Sequence, residues 1–174
     1  MKGIKLLLII AFFVSQPAAY AQVKTIFGDE VGTLDGIIKA YYDVVTVKKG
    51  ELPSFTRDSM LHVPNPQVGS VQIDKSGKPV LKCITLKEFH RLSDAGLAKD
   101  GFFEKEISRK VEHFGSIYHV WSTYESRLAE GTEVIERGIN SIELFFDGTR
   151  FWITSWIFDS ERKNNPIPKE YLTN

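Results

Sequence analysis

The stretch Ile139-Asn140-Ser141-Ile142-Glu143-Leu144-Phe145-Phe146-Asp147-Gly148-Thr149-Arg150-Phe151-Trp152-Ile153-Thr154-Ser155-Trp156-Ile157-Phe158-Asp159 reads as two β-strands about one tight turn. Aromatic and β-branched residues recur with a period of two, and Asp147-Gly148 supplies the residues a reversal needs. The same period begins at Phe102 and is broken at Gly115 and at Ala129-Glu130-Gly131. Four strands are therefore expected, Phe103 to His113, Ser116 to Arg127, Thr132 to Phe146 and Arg150 to Asp159, joined as an antiparallel meander. Gly115 is read either as a turn or as a bulge separating two pairing stretches. The tail from Ser160, with Asn164-Asn165-Pro166 and Pro168, is expected to lie irregularly over the surface.

Upstream the period changes. Leu34, Ile37, Ile38, Tyr41, Tyr42 and Val45 occupy one face of a helix, with Asp29 or Thr33 as cap and Lys48-Lys49-Gly50 as the positive, turn-forming end. Glu51 to Phe55 predicts a short second helix begun near Pro53. Ser59 to Val63 then reads as a strand ended by Pro64 and Pro66. Val68 to Ile73 and Val80 to Ile84 flank Asp74-Lys75-Ser76-Gly77 as a hairpin. Thr85 and Glu88 form a capping box that opens a third helix, which runs to about Lys99 and is stopped by Gly101. Helices followed by a long meander make an α+β domain with the helices on one sheet face.

At the other end, Lys2 and Lys5 precede an apolar run from Leu6 to Val14, and Ala19-Tyr20-Ala21 has the small-x-small form of a cleavage site. Residues 1–21 are thus read as a signal peptide of an exported protein, periplasmic or extracellular, and 22–174 as one domain. The apolar run is about half of the ~20 residues that cross a bilayer, so no stable membrane insertion is expected. Removing the first 21 of the 174 residues leaves 153 and takes two lysines, so 20 basic groups face 22 acidic ones. A charge near zero argues against nucleic acid as a partner, because a basic face is what releases phosphate counterions. The single cysteine, Cys83, has Leu81 and Ile84 nearby and reads as a buried thiol.

Several further stretches resemble the nuclear transport factor 2-like, or SnoaL-like, superfamily. They are Ile37-Ile38-Lys39-Ala40-Tyr41-Tyr42, Gly101-Phe102-Phe103-Glu104, Ser122-Thr123-Tyr124-Glu125-Ser126, Arg137-Gly138-Ile139-Asn140-Ser141-Ile142, Asp147 to Ile153, and Asp159-Ser160-Glu161-Arg162 before Asn165-Pro166-Ile167-Pro168. The likeness covers nearly all of the mature chain and is to a secreted bacterial branch without an assigned activity. It implies a cystatin-like cone, three N-terminal helices packed on a strongly curved antiparallel sheet, with a pocket at the open end and commonly a dimer. It implies no function, since this fold serves isomerases, dehydratases, cyclases and transport factors alike.

Enzymes of that superfamily set an Asp or His base in an apolar pocket beside a tyrosine or a neutral acid. Tyr41, Tyr42, His62, Tyr118, Tyr124, Glu143 and Asp159 are the parts on offer, yet no pair has the spacing of a catalytic dyad, so catalytic residues stay unassigned. Asn140 and Ser141 interrupt an apolar strand and must satisfy their hydrogen bonds in the sheet or in a wet pocket. Tyr41, His62, Tyr124, Asn140 and Trp156 are the expected ligand-binding residues, provided the even-numbered side of the strands faces the pocket. Each has a plainer reading, the tyrosines and His62 as satisfied core residues. The charged run from Glu104 to Glu112 reads as a solvated face with cross-strand ion pairs, with Arg109 as a possible anion contact. His113 and His119, on one continuous strand, would stand about 20 Å apart, too far for one metal. No metal and no cofactor is expected. Trp152, Trp156 and Phe158 are placed on one side of the last strand, and Phe151, Ile153 and Ile157 on the other. With both sides apolar, a homodimer through the outer sheet face is the expected partner arrangement, alongside a small-molecule ligand.

Three functions follow as expectations: binding of a small hydrophobic or mixed-polarity molecule, an isomerase, dehydratase or hydrolase activity on a cyclic substrate, or protein interaction without a working pocket. An enclosed pocket with a strongly shifted carboxyl or histidine beside a tyrosine favours the enzyme, and a filled cone favours interaction.

Overall fold

A computed structural model describes residues 30–173, so the signal-peptide reading and Asp29 lie outside the described residues. A 3-10 turn, Glu30–Gly32, leads into helix α1, Leu34–Val45, whose N-terminus is capped by the Thr33 hydroxyl accepting from the Gly36 N–H at 3.0 Å. Helix α1 buries the expected stripe, with Ile37, Ile38, Tyr41 and Tyr42 among its buried residues. Its end differs from expectation. Thr46 is already extended and Val47 pairs with Phe102, which moves Lys48-Lys49-Gly50 into a separate turn.

Helix α2 is Phe55–Ser59, four residues later than the spacing predicts, because Ser54 supplies the N-cap by accepting from the Arg57 N–H. Strand β1, His62–Ile73, runs through Pro64 and Pro66 where a stop is expected. Both prolines fall in the register shift between His62 and Gln67, where no ladder donor is required, and Asn65 between them has a φ of 56°. Strand β2, Pro79–Thr85, closes the expected hairpin on β1, and helix α3, Leu86–Asp100, begins at Thr85, which caps Glu88 N at 3.2 Å. Cys83 is exposed, a correction to the buried thiol: β2 is an edge strand and nearly all of it is open to solvent.

The meander is present as β3 Phe103–Phe114, β4 Ile117–Arg127, β5 Glu136–Phe146 and β6 Phe151–Ser160. Phe114 pairs with Ile117, so Gly115-Ser116 is a two-residue turn and not a bulge. His113 and His119 are consequently on neighbouring strands, and the ~20 Å separation of a continuous strand does not apply. They face opposite sides, since His113 pairs with Tyr118 and His119 with Glu112.

The sheet order is β2-β1-β6-β5-β4-β3. All pairings are antiparallel except β1 with β6, so the sheet is mixed where a purely antiparallel one is expected. Helix α1 packs on β3 and β6, and α3 on β1 and β2, leaving one sheet face to the helices. This is an α+β cystatin-like cone, unclosed at its edges. A register shift between Glu143 and Leu144 makes Thr154 an extra residue in β6. Strict alternation therefore fails there. Phe151, Ile153 and Trp156 are all on the inner side and buried, while Trp152 and Ile157 face outward.

The outer face has a cover that the sequence reading did not assign. Ser108 Oγ donates to the Thr173 carbonyl at 3.1 Å, Thr123 Oγ1 donates to the Tyr171 carbonyl at 2.6 Å, and the Trp121 and Tyr171 rings lie 6.0 Å apart. The C-terminal tail thus straps the half of that face near Trp121. Ile117 and Phe145, 63% and 43% exposed, remain open in the other half.

Candidate functional site

Between the helices and the inner sheet face lies a cavity of about 270 Å³. Its walls follow from two periodicities. Tyr41 and Val45 are one turn apart on α1, and Phe89, Ser93 and Leu97 recur at the same interval along α3. Tyr124, Asn140, Trp156 and Phe158 come from the even-numbered side of the meander, joined by Asp58, Phe102, Glu104 and Glu136.

Tyr41 opens a directed chain of hydrogen bonds. Glu106, clamped by Arg109 at 2.8 Å, can only accept, and Ser122 Oγ donates to it at 2.6 Å. Tyr42 must then donate to Ser122, at 2.7 Å, and accept from Asn140 Nδ2, at 3.2 Å. That turns Asn140 Oδ1 toward Tyr41, whose hydroxyl donates to it at 3.2 Å. The polar pair Asn140-Ser141 is thereby resolved. Asn140 is buried and ties α1 to the sheet, whereas Ser141 faces out and meets His119 Nε2 at 3.0 Å. Burial raises the Tyr41 pKa well above its ordinary value, as it does for Tyr42, so both stay protonated.

A second network surrounds Asp58, which is 2% exposed. His90 Nε2 lies 2.9 Å from Asp58 Oδ2, and His90 Nδ1 lies 3.0 Å from Asp94 Oδ1. Burial alone would lower the His90 pKa, but the hydrogen bonds to Asp58 and Asp94 outweigh it and raise it. His62 behaves in the opposite way. Its Nε2 accepts the Trp156 indole N–H at 3.2 Å, so the proton sits on Nδ1 and is donated to the Asp58 carbonyl at 2.9 Å. Burial dominates and lowers its pKa despite the Asp58 charge, which keeps the ring neutral.

Glu104 is the most perturbed carboxyl. Burial pushes its pKa up to about 8, the hydrogen bond from Ser126 opposes the rise, and the neighbouring Glu136 charge adds to it. Glu104 lines the cavity. At the same wall Tyr124 donates to Glu136 Oε1 at 2.8 Å, with Glu136 itself exposed. Gly138 makes room for that tyrosine, since a Cβ there would stand 2.6 Å from the Tyr124 hydroxyl oxygen.

Of the five residues expected to bind ligand, Tyr41, Tyr124, Asn140 and Trp156 line this cavity. His62 stands behind Trp156 and faces a different, more open groove of about 770 Å³, bounded by Pro64, Pro66, Phe145 and Trp152. Among the remaining candidates, Glu143 is on the outer face near His119, and Asp159 pairs with Arg162 at the strand end. Tyr118 stacks on His113 with ring centroids 4.9 Å apart. The reading of Glu104 to Glu112 as a solvated face is corrected for Glu104 and Glu106, which point inward beneath α1. Arg109 is held by Glu106 and by Asp35. Asp58, Glu104 and Glu136 escaped the sequence reading. Asp58 sits in a short polar helix, and Glu104 looks like its charged neighbours until pairing opposite Ser126 fixes its side. Among the described residues no group of three or more His, Cys, Asp or Glu side chains is arranged to hold a metal ion. No described helix is long and apolar enough to cross a membrane.

No family model and no curated protein matches the chain. Solved structures do. A protein of unknown function with a cystatin-like fold from Nostoc punctiforme superposes with a TM-score of 0.53 at 7% identity, over 73% of this chain and 87% of the other. The yeast Ubp3-associated protein Bre5 gives 0.51 at 14% identity, over 74% and 96%. An NTF2-like protein of unknown function from Methylobacillus flagellatus gives 0.49 at 10% identity, over 72% and 87%. At these identities the likeness concerns the fold alone.

Proposed function

Starting from a chain with the cystatin-like fold of the nuclear transport factor 2-like superfamily, we propose that it is an exported protein that holds a small molecule of mixed polarity in the 270 Å³ cavity. The single observation that carries this reading is the convergence of Tyr41, Tyr124, Asn140 and Trp156, from four different elements, on one partly enclosed space. An apolar cavity with a few placed polar groups and a perturbed carboxyl is the usual form of a small-molecule site. The 770 Å³ groove is larger, but it gathers no such set of groups. An unfilled cone also speaks against protein interaction as the only role. Export past Ala21 and pairing of two copies through the open half of the outer face belong to the same proposal.

The test is ligand-observed NMR with a set of small neutral and charged aromatic compounds. Binders should compete with one another and be lost in Ser93→Phe, which fills the cavity from α3. Retention of binding in that variant, or loss in Lys87→Ala, which changes the groove and not the cavity, would overturn the assignment.

A second reading has its own observation. Glu104, neutral at pH 7 beside Tyr124 and Glu136, has the character of a general acid. Turnover of a cyclic ketone or alcohol, abolished in Glu104→Gln, would establish it, and a cyclic substrate that binds in the cavity without turnover would count against it.

A further inference from the structure

We propose that the ligand of this cavity is a protonated amine with an apolar body, recognised through its N–H donors by a lining rich in acceptors and free of cationic side chains. The inference rests on the small-molecule reading above and names the chemistry of that molecule.

The argument is one of donor accounting. Each hydroxyl or indole donor lining the cavity is already committed. Tyr41 gives its proton to Asn140, Ser93 to the Phe89 carbonyl at 2.9 Å, Tyr124 to Glu136, and the Trp156 N–H to His62. What these hydroxyls still present to a ligand is lone pairs. The carboxyls of Asp58, Glu104 and Glu136 add acceptor oxygens, Glu104 alone holding a proton until a ligand displaces it, and no lining residue is Lys, Arg or His. Asp58 adds an acceptor with spare capacity, for its buried Oδ1 makes no hydrogen bond among the described residues and has His62 Nδ1, already committed to the Asp58 carbonyl, 3.3 Å away. An anion would meet carboxyl oxygens and no lining cation here, and a neutral acceptor would find the Glu104 carboxyl as its main donor, whereas an ammonium satisfies every free lone pair it reaches. The apolar walls suit the rest of such a molecule. Phe89, Phe102, Trp156 and Phe158 present ring surfaces, and aromatic faces attract cations in desolvated sites.

Glu104 is the reserve of charge. Facing it are Glu136 from β5, Tyr124 and Ser126 from β4, and Tyr41 and Tyr42 from α1, with no basic group among them. With its pKa near 8 it is neutral at pH 7 in the empty cavity, and an arriving ammonium favours its ionisation. Binding then transfers the Glu104 proton to solvent.

The experiment uses three compounds on one carbon skeleton, 3-phenylpropylammonium, 3-phenylpropanol and 3-phenylpropionate, titrated calorimetrically at pH 7 in buffers of different ionisation enthalpy. The ammonium should bind about tenfold or more tightly than the alcohol, with release of a fraction of a proton, and the carboxylate should not bind measurably. Glu104→Gln should narrow the ammonium-over-alcohol ratio by about fivefold and abolish the proton release, and Ser93→Phe should remove binding. An alcohol that binds as tightly as the ammonium overturns the charge inference and leaves the small-molecule reading standing. Ammonium binding that survives Ser93→Phe belongs to another surface and overturns it too. If no compound binds, and none of the wider NMR set does, both readings fall.

Discussion

Asn140 shows how much one side chain decides. It satisfies two buried tyrosine hydroxyls at once, accepting from Tyr41 and donating to Tyr42. Asn140→Leu leaves both without that partner, at a cost of about 2–4 kcal/mol, because unmade buried hydrogen bonds carry the full desolvation penalty. Urea unfolding measures this directly, and a loss below about 1 kcal/mol would show that the tyrosines re-pair. Glu104 carries a pH signature. Its folded pKa, about 8, lies above the ordinary 4.5, so the folded state binds the proton more tightly than the unfolded one. The stability it contributes is fully present below about pH 4.5 and is lost as pH rises to about 8. Glu104→Gln should therefore gain stability relative to the parent across that window, by the order of a few kcal/mol at its upper end. Denaturation midpoints at pH 5 and pH 8.5 test the sign. The raised pKa of His90 acts in the same direction at higher pH, so some slope remains in the variant.

At the scale of elements, β6 turns on one extra residue. A perfectly alternating strand would put Trp152 with Trp156, and the register shift at Thr154 separates them. Phe151, Ile153 and Trp156 then all reach the core, and the outer face keeps Trp152 and Ile157. The C-terminal strap is the other device at this scale. Its hydrogen bonds from Ser108 and Thr123, and the buried Ile167, hold it across β3 and β4. Removing residues 166–174 should cost about 2–3 kcal/mol and increase binding of a hydrophobic dye, since Ile167 and the Trp121 ring lose their cover. Unchanged stability would mean that the strap is ornamental.

For the molecule as a whole, the strap narrows the case for association. Half of the outer face is occupied by the chain itself, and its other half exposes Phe114, Ile117 and Phe145 beside the half-buried Trp152. A two-fold pairing of sheets over that half is the proposal, with Phe145→Lys as its probe. Sedimentation equilibrium should show the parent as a dimer and the variant as a monomer, because a charge placed twice in an apolar interface is costly. A monomeric parent would leave the tail as the sole cover.

The sequence by itself determined the two longer helices and the four-strand meander in their order. Helical and two-residue periods, the cap at Thr85 and the turn at Asp147-Gly148 are local features, and local sterics and hydrogen bonding suffice to produce them, whereas the turn at Gly115 was settled only by the pairing of Phe114 with Ile117. It also marked Tyr41, Tyr124, Asn140 and Trp156, because polar atoms in apolar periodic stretches must find partners inside. What it left open depended on contacts distant in the chain. The inward turn of Glu104 rests on pairing with β4, the role of Asp58 on His90 of another helix, the side taken by Trp152 on a register shift against β5, and the cover of Trp121 on the tail. Tertiary structure decided these, since side-chain direction in a strand reverses with a single residue of register and a carboxyl's pKa is set by neighbours that the sequence does not list beside it.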